Sequence, residues 1–125
     1  MTTKLFAILN RMEQKDLLTQ KCIPCEGDVQ PFTKKQIQTY VPSVPDWIIV
    51  DYKKIERDFK FKNFVEAMKF INRVADLAEH EGHHPDIFLH NWNLVKIFLM
   101  THAIKGLFAN DFILAAKIDH LLLTM

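Results

Sequence analysis

The sequence predicts an α+β domain, a four-stranded antiparallel sheet with helices packed on one face, in the order α-β-β-α-β-β-α. Three observations carry that reading. Ile55, Arg57, Phe59 and Phe61 alternate with Glu56, Asp58, Lys60 and Lys62, the period of a strand with one wet face. Phe64, Ala67, Met68, Ile71, Val74, Ala75 and Ala78 recur at helical spacing. Strand-like segments come in two pairs, with helical patterns before, between and after them. A length of 125 residues fits one domain, and 49% hydrophobic with 25% charged residues excludes a disordered chain.

Residues 1–32 read as an N-terminal arm. Its short apolar run, Leu5 to Leu9 between Lys4 and Arg11, falls short of a signal-peptide core and reads as an amphipathic helix or frayed end. A transit peptide stays open, because no acid precedes Glu13. Cys22-Ile23-Pro24-Cys25, Glu26-Gly27-Asp28 and Pro31 follow as turn chemistry. The domain proper spans 33–125. Thr33 with Gln36 is a capping-box pattern that opens a short helix, and Pro42 and Pro45 end it.

Trp47 to Tyr52 is rich in β-branched and aromatic residues and predicts a strand, with a turn at Lys53-Lys54 before the alternating one. Asn63 and Glu66 cap the long helix, and Gly82 stands where its C-terminal cap belongs. Past Pro85, Ile87–Leu89 and Leu94–Thr101 predict the second hairpin around His90-Asn91-Trp92-Asn93. Val95, Ile97 and Leu99 alternate with Lys96, Phe98 and Met100, so this last strand should be largely covered on both faces. A final helix runs from about Asn110 to Leu123 with Leu114, Ala115, Ile118, Leu121 and Leu122 inward. The exposed edges of so short a sheet invite pairing with a second copy.

Sixteen basic and fifteen acidic residues leave a net charge of +1, so nothing points to nucleic acid or an anionic membrane as a direct partner. No apolar run approaches the ~18–20 residues that span a bilayer. Two cysteines without an export signal suggest a reducing, cytoplasmic setting.

Histidine is the informative residue. Four of the six, His80, His83, His84 and His102, lie near two predicted junctions, a helix-to-strand loop and a strand end. His83 and His84 follow the C-terminus of the long helix, whose dipole favours an imidazolium there. Adjacent imidazoles repel when both are charged, which sets a protonated acid beside a neutral base, as acid–base catalysis requires. A metal reading competes, since His80 and His83 at i, i+3 share a helix face. Cys22 and Cys25 have zinc or redox spacing, but no second Cys-x-x-Cys completes a set. His90 and His120 read as ordinary surface or core histidines.

The stretch Glu79-His80-Glu81-Gly82-His83-His84-Pro85, followed by Trp92, His102 and Asp111, resembles the signature of the pterin-4a-carbinolamine dehydratases. The similarity covers about residues 33–123, including Phe59-Lys60-Phe61, Met100-Thr101-His102 and Leu114-Ala115-Ala116-Lys117-Ile118-Asp119. The arm's Cys-x-x-Cys also resembles bacterial members. The resemblance implies an α+β fold and a homodimer or homotetramer whose sheets join edge to edge. It implies loss of water from 4a-hydroxytetrahydropterin (4a-hydroxytetrahydrobiopterin) to give quinonoid dihydropterin. That step recycles the cofactor of aromatic amino-acid hydroxylases, phenylalanine hydroxylase above all, and needs no metal or organic cofactor of its own.

By the match, His83, His84 and His102 are the catalytic trio and Asp111 orients or charge-stabilises a histidine. Glu79 and the backbone of Met100-Thr101-His102 would face the pterin's polar edge. Where the family carries an aromatic two residues after the proline, this chain has Ile87, and Phe88 is expected to pack the pterin instead. Phe108 stands where Ser or Thr normally caps the last helix, and Asn110 is expected to take over. An alternative implied by the same resemblance is a non-catalytic cofactor protein. Some relatives aid dimerisation of a homeodomain transcription factor, and others aid assembly of the carbon-fixing carboxylase.

Overall fold

The computed structural model describes residues 16–125. The expected helix or frayed end at residues 1–11, and the transit-peptide alternative, lie outside the described residues. From Thr33 onward the elements are α1 (Lys34–Tyr40), β1 (Ile48–Val50), β2 (Lys54–Lys60), α2 (Phe64–Glu81), β3 (Asp86–His90), β4 (Leu94–Leu99) and α3 (Ala109–Leu123). Short 3-10 turns cover Val41–Ser43 and His102–Ile104. The order and the α+β class match the pattern read from the sequence.

Each element has a local cause. At α1, Thr33 Oγ1 accepts from the Gln36 N–H at 3.2 Å while Gln36 Oε1 accepts from the Thr33 N–H at 2.8 Å, the reciprocal capping box. Asn63 Oδ1 accepts from the Glu66 N–H to start α2, and Gly82 ends it in the left-handed region at φ 68°. The α3 N-terminus differs from expectation. Asp111, not Asn110, accepts from the Phe108 N–H, and Asn110 is committed elsewhere.

The four strands form one antiparallel sheet in the order β1-β2-β4-β3. Its turn after β1 falls at 51–53 rather than at Lys53-Lys54. Asp51 and Tyr52 both adopt positive φ (52° and 54°), the geometry of a tight primed turn, so Tyr52 leaves the strand. Ile55, Phe59, Val95, Ile97 and Leu99 are buried on one sheet face against Ala67, Phe70 and Val74 of α2 and the inner side of α3. The Phe59 and Phe70 rings lie 4.8 Å apart at that seam. Arg57 shares the buried face, and its guanidinium is neutralised there by Asp119, which also accepts from Trp47 Nε1 at 2.9 Å.

The opposite face carries Glu56 and Asp58, both paired to Lys96, beside half-buried Leu94 and Phe98. Leu94, Lys96 and Phe98 of β4 are thus half-buried on that face, while Val95, Ile97 and Leu99 are buried on the other.

The described part of the arm lies against the domain. Leu17 and Cys22 are buried, and the Phe32 N–H donates to the Leu107 carbonyl at 2.7 Å. Pro31 rests on Gly106, where any side chain would meet its Cβ at 2.8 Å. No helix among the described residues is long and apolar enough to cross a membrane.

Candidate functional site

Three structural ends meet at one end of the sheet. The left-handed turn at Gly82 swings the chain off α2, with the His83 N–H donating back to the Ala78 carbonyl at 3.3 Å. Pro85 disfavours a helical His84, and residues 83–85 form no regular structure between α2 and β3. Beyond β4, Thr101 and Gly106 bridge to close a small loop that presents His102. The start of α3 supplies Asn110 and Asp111.

The result is a cleft of about 200 Å³ lined by Ile23, Cys25, Gly82, His83, His84, Thr101, His102, Ala103 and Asn110. All three histidines of the expected trio thus line one cavity, though His84 and His102 are 18 positions apart in the sequence.

Behind the cleft sits Asp111, fully buried. Its Oδ1 accepts from His83 Nε2 at 2.7 Å. Its Oδ2 accepts from Thr101 Oγ1 at 2.8 Å and from the Phe108 N–H at 2.9 Å. A carboxylate that accepts three hydrogen bonds in the interior is held in one orientation, and it fixes the ring it touches. His83 is correspondingly sheltered, its side chain 11% exposed, whereas His84 and His102 are 63% and 61% exposed. Each outer imidazole has its own acid: Glu79 lies 3.6 Å from His84, and Asp86 lies 3.9 Å from His102.

The remaining expected residues divide. Thr101 lines the cleft and is buried. Glu79 is exposed and reaches the cleft only through His84, and Met100 is half-buried and off its wall. Phe88 is a correction. It points to the outer sheet face, stacked 4.7 Å from His90, and lines a separate cleft with Leu94, Lys96 and Phe98. The reason is distance, since Phe88 shares a sheet face with Asp86 but lies two residues, about 7 Å, further along the strand.

Sequence reasoning missed Asp86, Asn110 and Ile23 at this site. Asp86 follows the His-His-Pro run directly, a signal that was there to be used. Among the described residues, no group of three or more His, Cys, Asp or Glu is arranged to hold an ion.

The arm reaches this cleft through a second buried polar group. The Cys22 N–H donates to Glu81 Oε1 at 3.0 Å, and Lys117 Nζ pairs with Glu81 Oε2 at 3.0 Å. Burial pushes the Glu81 carboxyl up, but the Cys22 amide and Lys117 outweigh it and hold it below its ordinary value. The Cys22 thiol is pushed up to about 12, chiefly by burial and also by the nearby Glu81 charge. Asn110 adds two bonds, its Oδ1 accepting from the Ile23 N–H at 2.9 Å and its Nδ2 donating to the Ile23 carbonyl at 2.7 Å.

The family model described as pterin 4 alpha carbinolamine dehydratase matches residues 30–121. A relative from Halorhodospira halophila, whose name places it in the same family, is 47% identical over 106 residues, covering 83% of this chain and 96% of its own. Pterin-4-alpha-carbinolamine dehydratase 2, mitochondrial, of Arabidopsis thaliana is 47% identical over 110 residues, 85% of this chain and 59% of that longer protein. The crystal structure of a transcriptional coactivator/pterin dehydratase from Brucella melitensis superposes with a TM-score of 0.68 at 31% identity, covering 74% of this chain and 98% of that one. A pterin dehydratase-like protein described as a RuBisCO assembly factor shares the fold, with a TM-score of 0.52 at 23% identity over 61% of this chain and 88% of that one.

Proposed function

The chain belongs to the pterin 4 alpha carbinolamine dehydratase family, and on that premise we propose that it dehydrates 4a-hydroxytetrahydropterin to quinonoid dihydropterin and water by histidine acid–base catalysis. One observation carries the mechanism: His83, His84 and His102 line a single cleft, with Asp111 buried behind His83.

The reaction breaks the C4a–O bond, with its electron pair leaving on oxygen, which takes a proton and departs as water. The N5 lone pair forms the C4a=N5 bond, and N5 gives up its proton. One proton is delivered and one is taken, so no net charge is stored. Asp111 accepts the His83 Nε2–H, which leaves Nδ1 with a lone pair suited to the N5 proton. The exposed imidazoles His84 and His102 are suited to protonating the leaving oxygen. The backbone around His102 would run along the pterin's polar edge, while Thr101, whose hydroxyl is taken by Asp111 and whose N–H and carbonyl are taken by Gly106, holds that segment in place, and Glu79 steadies His84 from the rim. The chemistry requires neither a metal nor an organic cofactor.

The proposal extends to a homodimer or homotetramer, for which the open edges β1 and β3 give a means of pairing. It also places the protein beside a phenylalanine hydroxylase whose spent cofactor it would renew. Cys22 and Cys25 are both free thiols, which suits a reducing compartment such as the cytoplasm.

The test is to time the ultraviolet signal of 4a-hydroxytetrahydropterin as it decays with and without the protein. Faster decay in proportion to protein concentration is expected. An unchanged rate with folded protein would contradict the dehydratase reading and leave the non-catalytic assembly role in its place.

A further inference from the structure

We propose that Ile23 and Cys25 form the substrate-contacting wall of the histidine cleft, and that this arm segment sets how tightly the pterin is held. The inference rests on the dehydratase reading and adds residues that lie outside the family's matched span of 30–121.

Both backbone polar groups of Ile23 are taken by Asn110, itself 2% exposed, and the preceding amide by Glu81, itself 6% exposed. Three hydrogen bonds from buried side chains fix two consecutive arm residues across about 60–90 positions of sequence. Yet the Ile23 side chain so fixed contributes little to the core, for it remains 52% exposed. An apolar side chain held rigidly in the open at the lip of a cavity is placed for contact with whatever fills that cavity.

The cleft measures about 200 Å³. Small-molecule sites usually enclose about 300–1,000 Å³, so a bicyclic guest seated among the imidazoles reaches every wall, the arm included.

The two cysteines of the Cys-x-x-Cys motif then have different places. Cys22 is buried against Asn110, with its Sγ 3.6 Å from the Asn110 carbonyl, and serves the anchor. Cys25 is half-exposed on the cleft wall. Burial and the high thiol value of Cys22 leave Cys25 as the thiol that reagents reach in the folded protein.

The experiment uses that difference in the full chain. Cys25 is alkylated with iodoacetamide, with and without saturating 7,8-dihydrobiopterin, and its labelling is followed by peptide mass spectrometry while calorimetry reports binding. In parallel, dehydration kinetics are measured for Ile23→Ala, a change at an exposed position that leaves the core intact. Bound pterin should slow Cys25 labelling about tenfold, and Ile23→Ala should raise KM about tenfold with kcat within about twofold. Labelling unaffected by bound pterin, or an unchanged KM in the variant, overturns the wall while the dehydratase reading stands. Wild-type protein that neither binds the pterin nor speeds dehydration overturns both.

Discussion

Two clefts in this molecule differ in what stands behind them. The one on the outer sheet face is the roomier, about 510 Å³, and is bordered by Phe88, His90, Leu94 and Phe98 with Asp58, Lys60 and Lys96. Its charged groups are those of a solvated strand face, and its Phe88–His90 stack lies along the surface. The cleft at the end of the sheet holds about 200 Å³ but is backed by Asp111, which is fully buried and accepts three hydrogen bonds. Volume offers room for a ligand. A fixed buried carboxylate holds a ring in one tautomer and one direction, which proton transfer needs.

The sharpest way to break this contrast is to remove one imidazole from each cleft. His102→Ala should lower kcat for dehydration by about 10²–10⁴-fold, the range for a lost acid–base group, because His102 borders the small cleft. Its exposed side chain should leave the urea midpoint unchanged. His90→Ala in the roomier cleft should leave kcat within about twofold of wild type. Equal losses from the two variants would erase the distinction.

Asp111→Asn comes next in size. The amide presents a donor where Thr101, Phe108 and His83 all donate, so kcat should fall about 10–100-fold through loss of the His83 orientation. The same mismatch should cost about 1–3 kcal/mol of stability in urea unfolding, the usual effect of a buried polar group losing its partner.

Glu81→Gln probes the anchor of the arm, with a smaller effect of about 1–2 kcal/mol near neutral pH. The pH dependence has a definite sign. The Glu81 carboxyl is held below its ordinary value of 4.5 in the folded protein, so its contribution is fully present above that value and fades as pH falls through the folded one. Urea midpoints of wild type and Glu81→Gln should therefore converge in acid, and a gap that widened there would be inconsistent with the anchor. Smallest of all, Phe88→Ala should leave KM within about twofold, since Phe88 borders the outer-face cleft and not the histidine cleft.

Much of this was legible in the sequence because it is local. The period of two from Ile55, the helical spacing of 64–78 and the capping pairs Thr33/Gln36 and Asn63/Glu66 act within a few residues and appear in the structure, although the strand ends at Lys60, two residues before the alternation does. The histidine trio was legible through its spaced motif, and the structure adds the cavity it lines. What escaped was long-range. Asn110 looked like a helix cap, but a residue 87 positions away makes better use of its amide, and Asp111 can cap and orient at once. The arm looked like turn chemistry because nothing near Ile23 in sequence reveals that Glu81 and Asn110 will bind its backbone. Phe88 is the aromatic neighbour of Ile87, which holds the family's aromatic position, and the strand pleat turns these two side chains to opposite faces.

The central claim is that the pterin sits among the three imidazoles at the end of the sheet. The most direct measurement follows the six histidine ring C–H signals by NMR as 7,8-dihydrobiopterin is added. The signals of His83, His84 and His102 should shift together and saturate at one common concentration, while those of His90 and His120 hold still. Movement of His90 with a silent trio would put the ligand on the outer sheet face and contradict the account.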